Sequence, residues 1–182
     1  MRSLVIAISL GICSLSAVAQ SADSTKSSKD TTVHTTKSDK KLPDITLKNT
    51  DGENVNLQSY GQSGKITIIS FWATWCGPCI KELRNLNEVI EDWEENYNVQ
   101  LVAVSVDDSR TTSKAGPKAV AEGWDFDILL DVNSQLALAM NVTNPPVTFL
   151  VDQSGNIVYT HTGYIEGDEI DLEEHIKELQ KK

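Results

Sequence analysis

Phe71-Trp72-Ala73-Thr74-Trp75-Cys76-Gly77-Pro78-Cys79 is the stretch on which the reading of this chain turns. The residues leading into it, Lys65 to Phe71, carry Ile66, Ile68, Ile69 and Phe71, a strongly β-prone run long enough for a buried strand. The residues beyond it place Ile80, Leu83, Leu86, Ile90, Trp93 and Tyr97 at three- and four-residue intervals, which is one face of a helix. The cysteine pair therefore falls between a strand end and a helix start. A helix N-terminus presents free N–H groups and partial positive charge, and both favour a thiolate. Pro78 suits that place because the first-turn N–H has no partner within the helix. Cys79 lies one turn beyond Cys76, close enough to close a disulfide. Thiol–disulfide exchange needs a thiolate to attack, a second thiol to resolve the mixed disulfide, and access. On this pattern Cys76 attacks and Cys79 resolves.

Outward from that stretch, strand and helix signals alternate. Ile45-Thr46-Leu47 and Val55-Asn56-Leu57 flank Asn49-Thr50-Asp51-Gly52, a strand–turn–strand reading with Asp-Gly at the bend. Val99 to Val106 reads as a strand, Ser113 to Glu122 as a helix, Phe126 to Leu130 as a short strand and Asn133 to Met140 as a short helix. Val147 to Val151 and Ile157 to Thr160 are strands joined by Asp152-Gln153-Ser154-Gly155-Asn156, a hairpin signal. An amphipathic helix follows from about Asp168, with Leu172, Ile176 and Leu179 on one face. The order ββ-βα-βα-βα-ββα predicts an α/β fold: a mixed, partly parallel central sheet flanked by helices, with the last hairpin as an antiparallel edge.

The N-terminus bears on compartment. Arg2, an apolar run from Leu4 to Cys13 and the small residues Ala17-Val18-Ala19 make the pattern of a secretory signal peptide over residues 1–19. The apolar run is short for a transmembrane span, which needs about 20 residues; an uncleaved anchor facing the periplasm is the alternative. Ile12 before Cys13 speaks against a lipoprotein signal, which has a small residue there. Residues 20–41 are rich in Ser, Thr, Lys and Asp and read as a flexible linker in which His34 is solvated. The folded domain is expected over 42–182, one domain in a chain of 182 residues. Cleavage after Ala19 removes Cys13 and leaves Cys76 and Cys79 as the only cysteines of a periplasmic protein. A structural disulfide normally closes a longer loop, so this close pair is better suited to cycling than to stapling.

The formal charge of −10, from 16 basic and 26 acidic residues, argues against nucleic-acid binding and against docking on an anionic membrane face, both of which rely on clustered cations. Zinc usually takes four ligands. No second cysteine pair exists, and His34, His161 and His175 are not at ligand spacing, so neither a metal nor another cofactor is expected.

The segment Phe71–Cys79 resembles the active-site segment of thioredoxins, and the similarity extends over about Leu42 to Lys181. The opening hairpin, the extra helix–strand unit between Asp107 and Asp131, and Pro145-Pro146-Val147-Thr148-Phe149-Leu150 are most similar to the TlpA/ResA type. Those are exported thioredoxin-like proteins, several of which serve cytochrome c maturation. The resemblance implies a thioredoxin-like fold with an N-terminal β-hairpin and a helix–strand insertion. It implies a redox-active Cys76–Cys79 disulfide and a cis peptide at Pro146 opposite it. Trp75, Gly77, Pro78, Pro145, Pro146 and Val147 would form a substrate groove, with Thr148 on its border. Many thioredoxins carry an Asp beneath the cysteines; Ser70 occupies that position here, and Glu82 matches a glutamate of ResA-like proteins and is expected to accept the Cys79 proton. Arg84 stands where thioredoxins usually have a helix-kinking proline. Trp72 is expected in the core beside the site, and Trp93 and Trp124 in packing.

The expected function is reduction of protein disulfides, with a membrane electron donor and a monomeric state. A peroxiredoxin-like peroxidase is the first alternative, but such enzymes have a Thr three residues before the reactive Cys, whereas Thr74 is two before Cys76. A non-catalytic thioredoxin-like binding module is the second; Cys76, Cys79 and Pro146 argue against it.

Overall fold

A computed structural model describes residues 40–181, so the expected signal peptide and the linker up to residue 39 lie outside the described residues. The chain runs β1 (Thr46–Asn49), β2 (Asn54–Asn56), α1 (Gln58–Gly61), β3 (Ile66–Trp72), α2 (Gly77–Tyr97), β4 (Val99–Ser105), α3 (Ala115–Glu122), β5 (Asp127–Leu130), α4 (Gln135–Ala139), β6 (Val147–Val151), β7 (Ile157–Thr162) and α5 (Asp168–Leu179). The strands form one sheet in the order β2-β1-β5-β4-β3-β6-β7. β3, β4 and β5 are parallel, and the hairpin β6–β7 joins antiparallel to β3. The opening hairpin β1–β2 joins antiparallel to β5 at the other edge. This is the mixed sheet that the sequence predicts.

The alternation of side chains along a strand sorts them into two cores. Ile66 and Ile68 of β3 and Leu150 of β6 pack with Leu83 and Leu86 of α2 and Ile176 of α5. Ile69 and Phe71 of β3 and Phe149 of β6 point the other way, against Leu136, Met140 and Leu57. All seven residues of β3 are buried, as a central strand covered on both faces requires. The same alternation sends Ser70 and Thr148 toward α2, which matters for the site.

Helix ends follow their local chemistry. α2 stops at Asn98 and α3 at Gly123, both in the left-handed conformation that commonly closes a helix. The predicted helix from Ser113 is split: Thr112–Lys114 is a 3-10 turn, and α3 proper begins at Ala115. α1 is an element the sequence reading does not contain, because four residues show no period. The opening turn forms where Asp51-Gly52 predicts it, with Asn49 Oδ1 accepting the Asp51 and Glu53 N–H groups. Among the described residues no helix is long and apolar enough to cross a membrane.

Candidate active site

Cys76 is the N-cap of α2. Its backbone is extended, and its Sγ accepts the Cys79 N–H at 3.3 Å. A sulfur so placed receives a hydrogen bond from the helix and faces the positive end of its dipole, which stabilises a thiolate. The two cysteines form a disulfide with a Cα–Cα distance of 5.3 Å, inside the usual range. Their accessibility differs: Cys76 is 6% exposed and Cys79 0%. Gly77 and Pro78 are exposed, and Trp75 is 65% exposed beside them. Trp72 is fully buried with its ring edge-on to Trp124 at 5.0 Å, and Trp93 and Trp124 are also buried.

The loop before Cys76 is clasped by Asp107 at the end of β4. Asp107 is fully buried. Its Oδ2 accepts the Thr74 N–H at 2.8 Å and its Oδ1 the Thr74 hydroxyl at 2.7 Å. Ser105 Oγ donates to the same carboxylate at 2.9 Å. Sequence reading treats Asp107 only as the start of an insertion; its partner lies 33 residues away, and no local signal announces the contact.

Glu82 is the largest departure from the solvated carboxylate that a helix position ordinarily implies. It is 4% exposed. Ser70 Oγ donates to its Oε2 at 3.0 Å, and Thr148 Oγ1 donates to its Oε1 at 2.5 Å. Burial pushes its pKa up from 4.5 to about 7; the two hydroxyls oppose that rise, and the negative charge of Asp168 adds to it. A group poised near neutrality both accepts and returns a proton under ordinary conditions. Ser70 thus supplies a donor to the carboxylate, beyond merely lacking the acid that many thioredoxins carry there.

The Pro145–Pro146 peptide is cis. Val147 pairs with Phe71 in the β3–β6 ladder, so this bond lies by the C-terminal end of β3, where the cysteine loop departs. Two of the expected groove residues have buried side chains. Val147 is buried with its side chain in the opposite core, because its position on β6 alternates with that of Thr148. Thr148 is likewise buried, with its hydroxyl turned onto Glu82. The exposed surface at the cysteines comes from Trp75, Gly77 and Pro78, with Pro145 half-buried and Pro146 buried. Arg84 does not interrupt α2, which is one helix of 21 residues, and its guanidinium pairs with Glu122 of α3.

Residues 39–160 match the AhpC/TSA family. The thiol–disulfide oxidoreductase ResA of Geobacillus kaustophilus is 30% identical over 138 residues, 76% of this chain and 75% of that protein. The chain belongs to the AhpC/TSA family, among its thioredoxin-like oxidoreductases. Solved structures agree. A thioredoxin-like protein of Porphyromonas gingivalis is 44% identical with a TM-score of 0.69, covering 77% of this chain and 92% of that one. A structure from Chlorobium tepidum assigned as the thiol:disulfide interchange protein DsbE is 27% identical with a TM-score of 0.67, covering 76% and 94%. This family member is a thiol–disulfide oxidoreductase of ResA-like type, and Cys76–Cys79 is its redox-active pair.

Proposed function

We propose that this oxidoreductase is exported and reduces disulfides in other proteins. The observation that carries the reading is the asymmetry of the pair: Cys76 at the helix N-cap beside exposed Trp75, Gly77 and Pro78, and a fully buried Cys79 one turn before a buried carboxylate. The Cys76 thiolate attacks one sulfur of a substrate disulfide. That S–S bond breaks, a mixed disulfide forms on Cys76, and the other substrate sulfur leaves as a thiolate and takes a proton from water. Glu82 takes the Cys79 proton, and the Cys79 thiolate attacks Cys76 Sγ. The second substrate thiol departs, two electrons have reached the substrate, and Cys76–Cys79 is the disulfide seen here.

Trp75, Gly77, Pro78, Pro145 and Pro146 border the surface where the substrate chain lies, and Val147 contributes its backbone only. The signal-peptide pattern of residues 1–19 supports a periplasmic location, with a membrane thiol reductant returning electrons to a monomeric enzyme. Apocytochrome c is one substrate of the required chemistry.

Cys79→Ser removes the resolving thiol. The variant is expected to accumulate mixed disulfides through Cys76 with envelope proteins, and identifying the captured chains names the substrates. A wild-type midpoint potential nearer the about −270 mV of thioredoxin than the about −120 mV of DsbA marks a reductant. No captured protein, together with rapid consumption of peroxide, would replace this reading with a peroxidase.

A further inference from the structure

Glu82 shares its face of the sheet with a second ionisable pair. Ser70 on β3 stands opposite Thr148 on β6, and Thr148 stands opposite His161 on β7. Opposed residues of neighbouring antiparallel strands point to the same side with Cβ atoms about 4.5–5.5 Å apart. The three side chains therefore form a row. The first two donate to the Glu82 carboxylate. The third sets its Nε2 3.0 Å from Asp168 Oδ2. Asp168 opens α5, and the same oxygen accepts the Ile165 N–H at 2.8 Å. Two partners thus pin its charge. The side chains of His161 and Asp168 are 22% and 16% exposed, so solvent screens them only in part.

We propose that His161 and Asp168 are positioning residues for Glu82: the charge of Asp168 governs when Glu82 takes the proton of the resolving thiol, and His161 holds that charge in place and offsets it. The proposal rests on the reading of Glu82 as proton acceptor. Two carboxylates on one poorly hydrated face do not ionise independently, and a neighbouring cation restores some stability to the anion. Asp168 is among the influences that raise the proton affinity of Glu82, after burial. The His161–Asp168 contact and the Ser70–Thr148–His161 row place that charge beside the Glu82 network.

Other ionisable groups surround this set. Tyr159 of β7 packs against the rings of His161 and His175. Tyr164 donates to Glu169 of α5 and accepts from Asn85 of α2. The charge of Asp171 acts on Tyr159. Cys76 and Cys79 lie on the same helix as Glu82.

The experiment uses the full chain. In the oxidised protein, the Glu82 carboxyl carbon is followed by NMR against pH. In the reduced protein, alkylation of Cys79 is followed over the same range. D168N is expected to lower the Glu82 midpoint by at least about half a pH unit, and H161Q to raise it. D168S, which keeps an oxygen for the Ile165 N–H without the charge, should reproduce D168N and guards against loss of the helix start. The Cys79 alkylation profile should move with the Glu82 midpoint. A pair with only a structural role would lower stability and leave the midpoint in place. An unmoved midpoint in both Asp168 variants overturns the proposal, and an unmoved midpoint in H161Q removes His161 from it. E82Q separates the two readings. If its Cys79 profile matches wild type, Glu82 is not the acceptor, whatever Asp168 does to it; if that profile changes while D168N leaves Glu82 unmoved, only the present proposal fails.

Discussion

Glu82 shows how far one side chain can depart from what its residue type implies. Its environment withholds water and supplies two hydroxyl donors, and the first effect wins, leaving the carboxyl near 7 where 4.5 is ordinary. This has a consequence for stability whose sign is definite. Between the two values the folded state holds a proton that the unfolded chain has already released. Stability therefore falls as pH rises through that window. At 1.36 kcal/mol per unit, the loss from this group amounts to about 3 kcal/mol. Denaturant titrations of the oxidised protein at a series of pH values from 4 to 8 should show that decline. E82Q, which keeps the shape and cannot ionise, is expected to lack it and to be the more stable protein at pH 8. Equal slopes for the two proteins would mean that Glu82 is not buried as described. Sequence resemblance singled out Glu82 and noted Ser70 as a missing acid. It could not say that Ser70 and Thr148 both donate to Glu82, because those contacts span 12 and 66 residues and exist only once α2 lies on the sheet and β6 has paired with β3.

At the scale of elements, the site is a junction. β3 ends and α2 begins across Ala73–Cys76, with the Cys76 N–H donating to the Ala73 carbonyl at 3.0 Å. Asp107, from the end of β4, fastens that loop through Thr74. The strand, the helix and its apolar face are legible in the sequence because each is long enough to display its period. α1 is too short to do so, and the clasp is invisible because Asp107 and Thr74 lie 33 residues apart with no local pattern joining them. Replacing Asp107 by Ala removes the partner of the half-buried Thr74 N–H and hydroxyl and of the fully buried Ser105 hydroxyl. We expect a loss of about 3 kcal/mol or more, since hydrogen bonds to a charged group are worth about 1.5–3 kcal/mol each. Exchange activity should fall further than stability alone explains, because the loop carrying Cys76 is no longer fixed. The checks are a chemical denaturation curve and the Cys76 alkylation rate at a denaturant-free condition where both proteins are folded. An unchanged alkylation rate would leave Asp107 a stabilising residue with no hold on the thiol.

On the scale of the whole molecule, one sheet separates two cores, and the chemistry lies on one side. Leu83 and Leu86 of α2 pack with Ile176 of α5 over the face that carries Ser70 and Thr148. Leu136 and Met140 fill the other face with Phe71 and Phe149. A mixed sheet flanked by helices follows from the alternating pattern in the sequence, but the strand order and the face that holds the carboxylate network depend on pairing and register, and a one-residue slip of β6 would send Thr148 to the wrong core. This division makes a mutational contrast. Leu83 and Leu136 are both fully buried, and truncating either to Ala should cost about 2–5 kcal/mol, the transfer loss plus the cavity. Their effects on chemistry should differ. Leu83→Ala opens space beside Glu82 on the same helix, so water reaches the carboxylate and its titration moves down toward the ordinary range. Leu136→Ala empties the far side of the sheet, and distant sites with no shared partners act independently. The Glu82 midpoint should then stay where it is while the unfolding midpoint falls. Measuring both quantities for both variants decides it: parallel shifts in the Glu82 midpoint would show that the sheet transmits packing from one core to the other, and a shift confined to Leu83→Ala locates control of the proton in the α2 face alone.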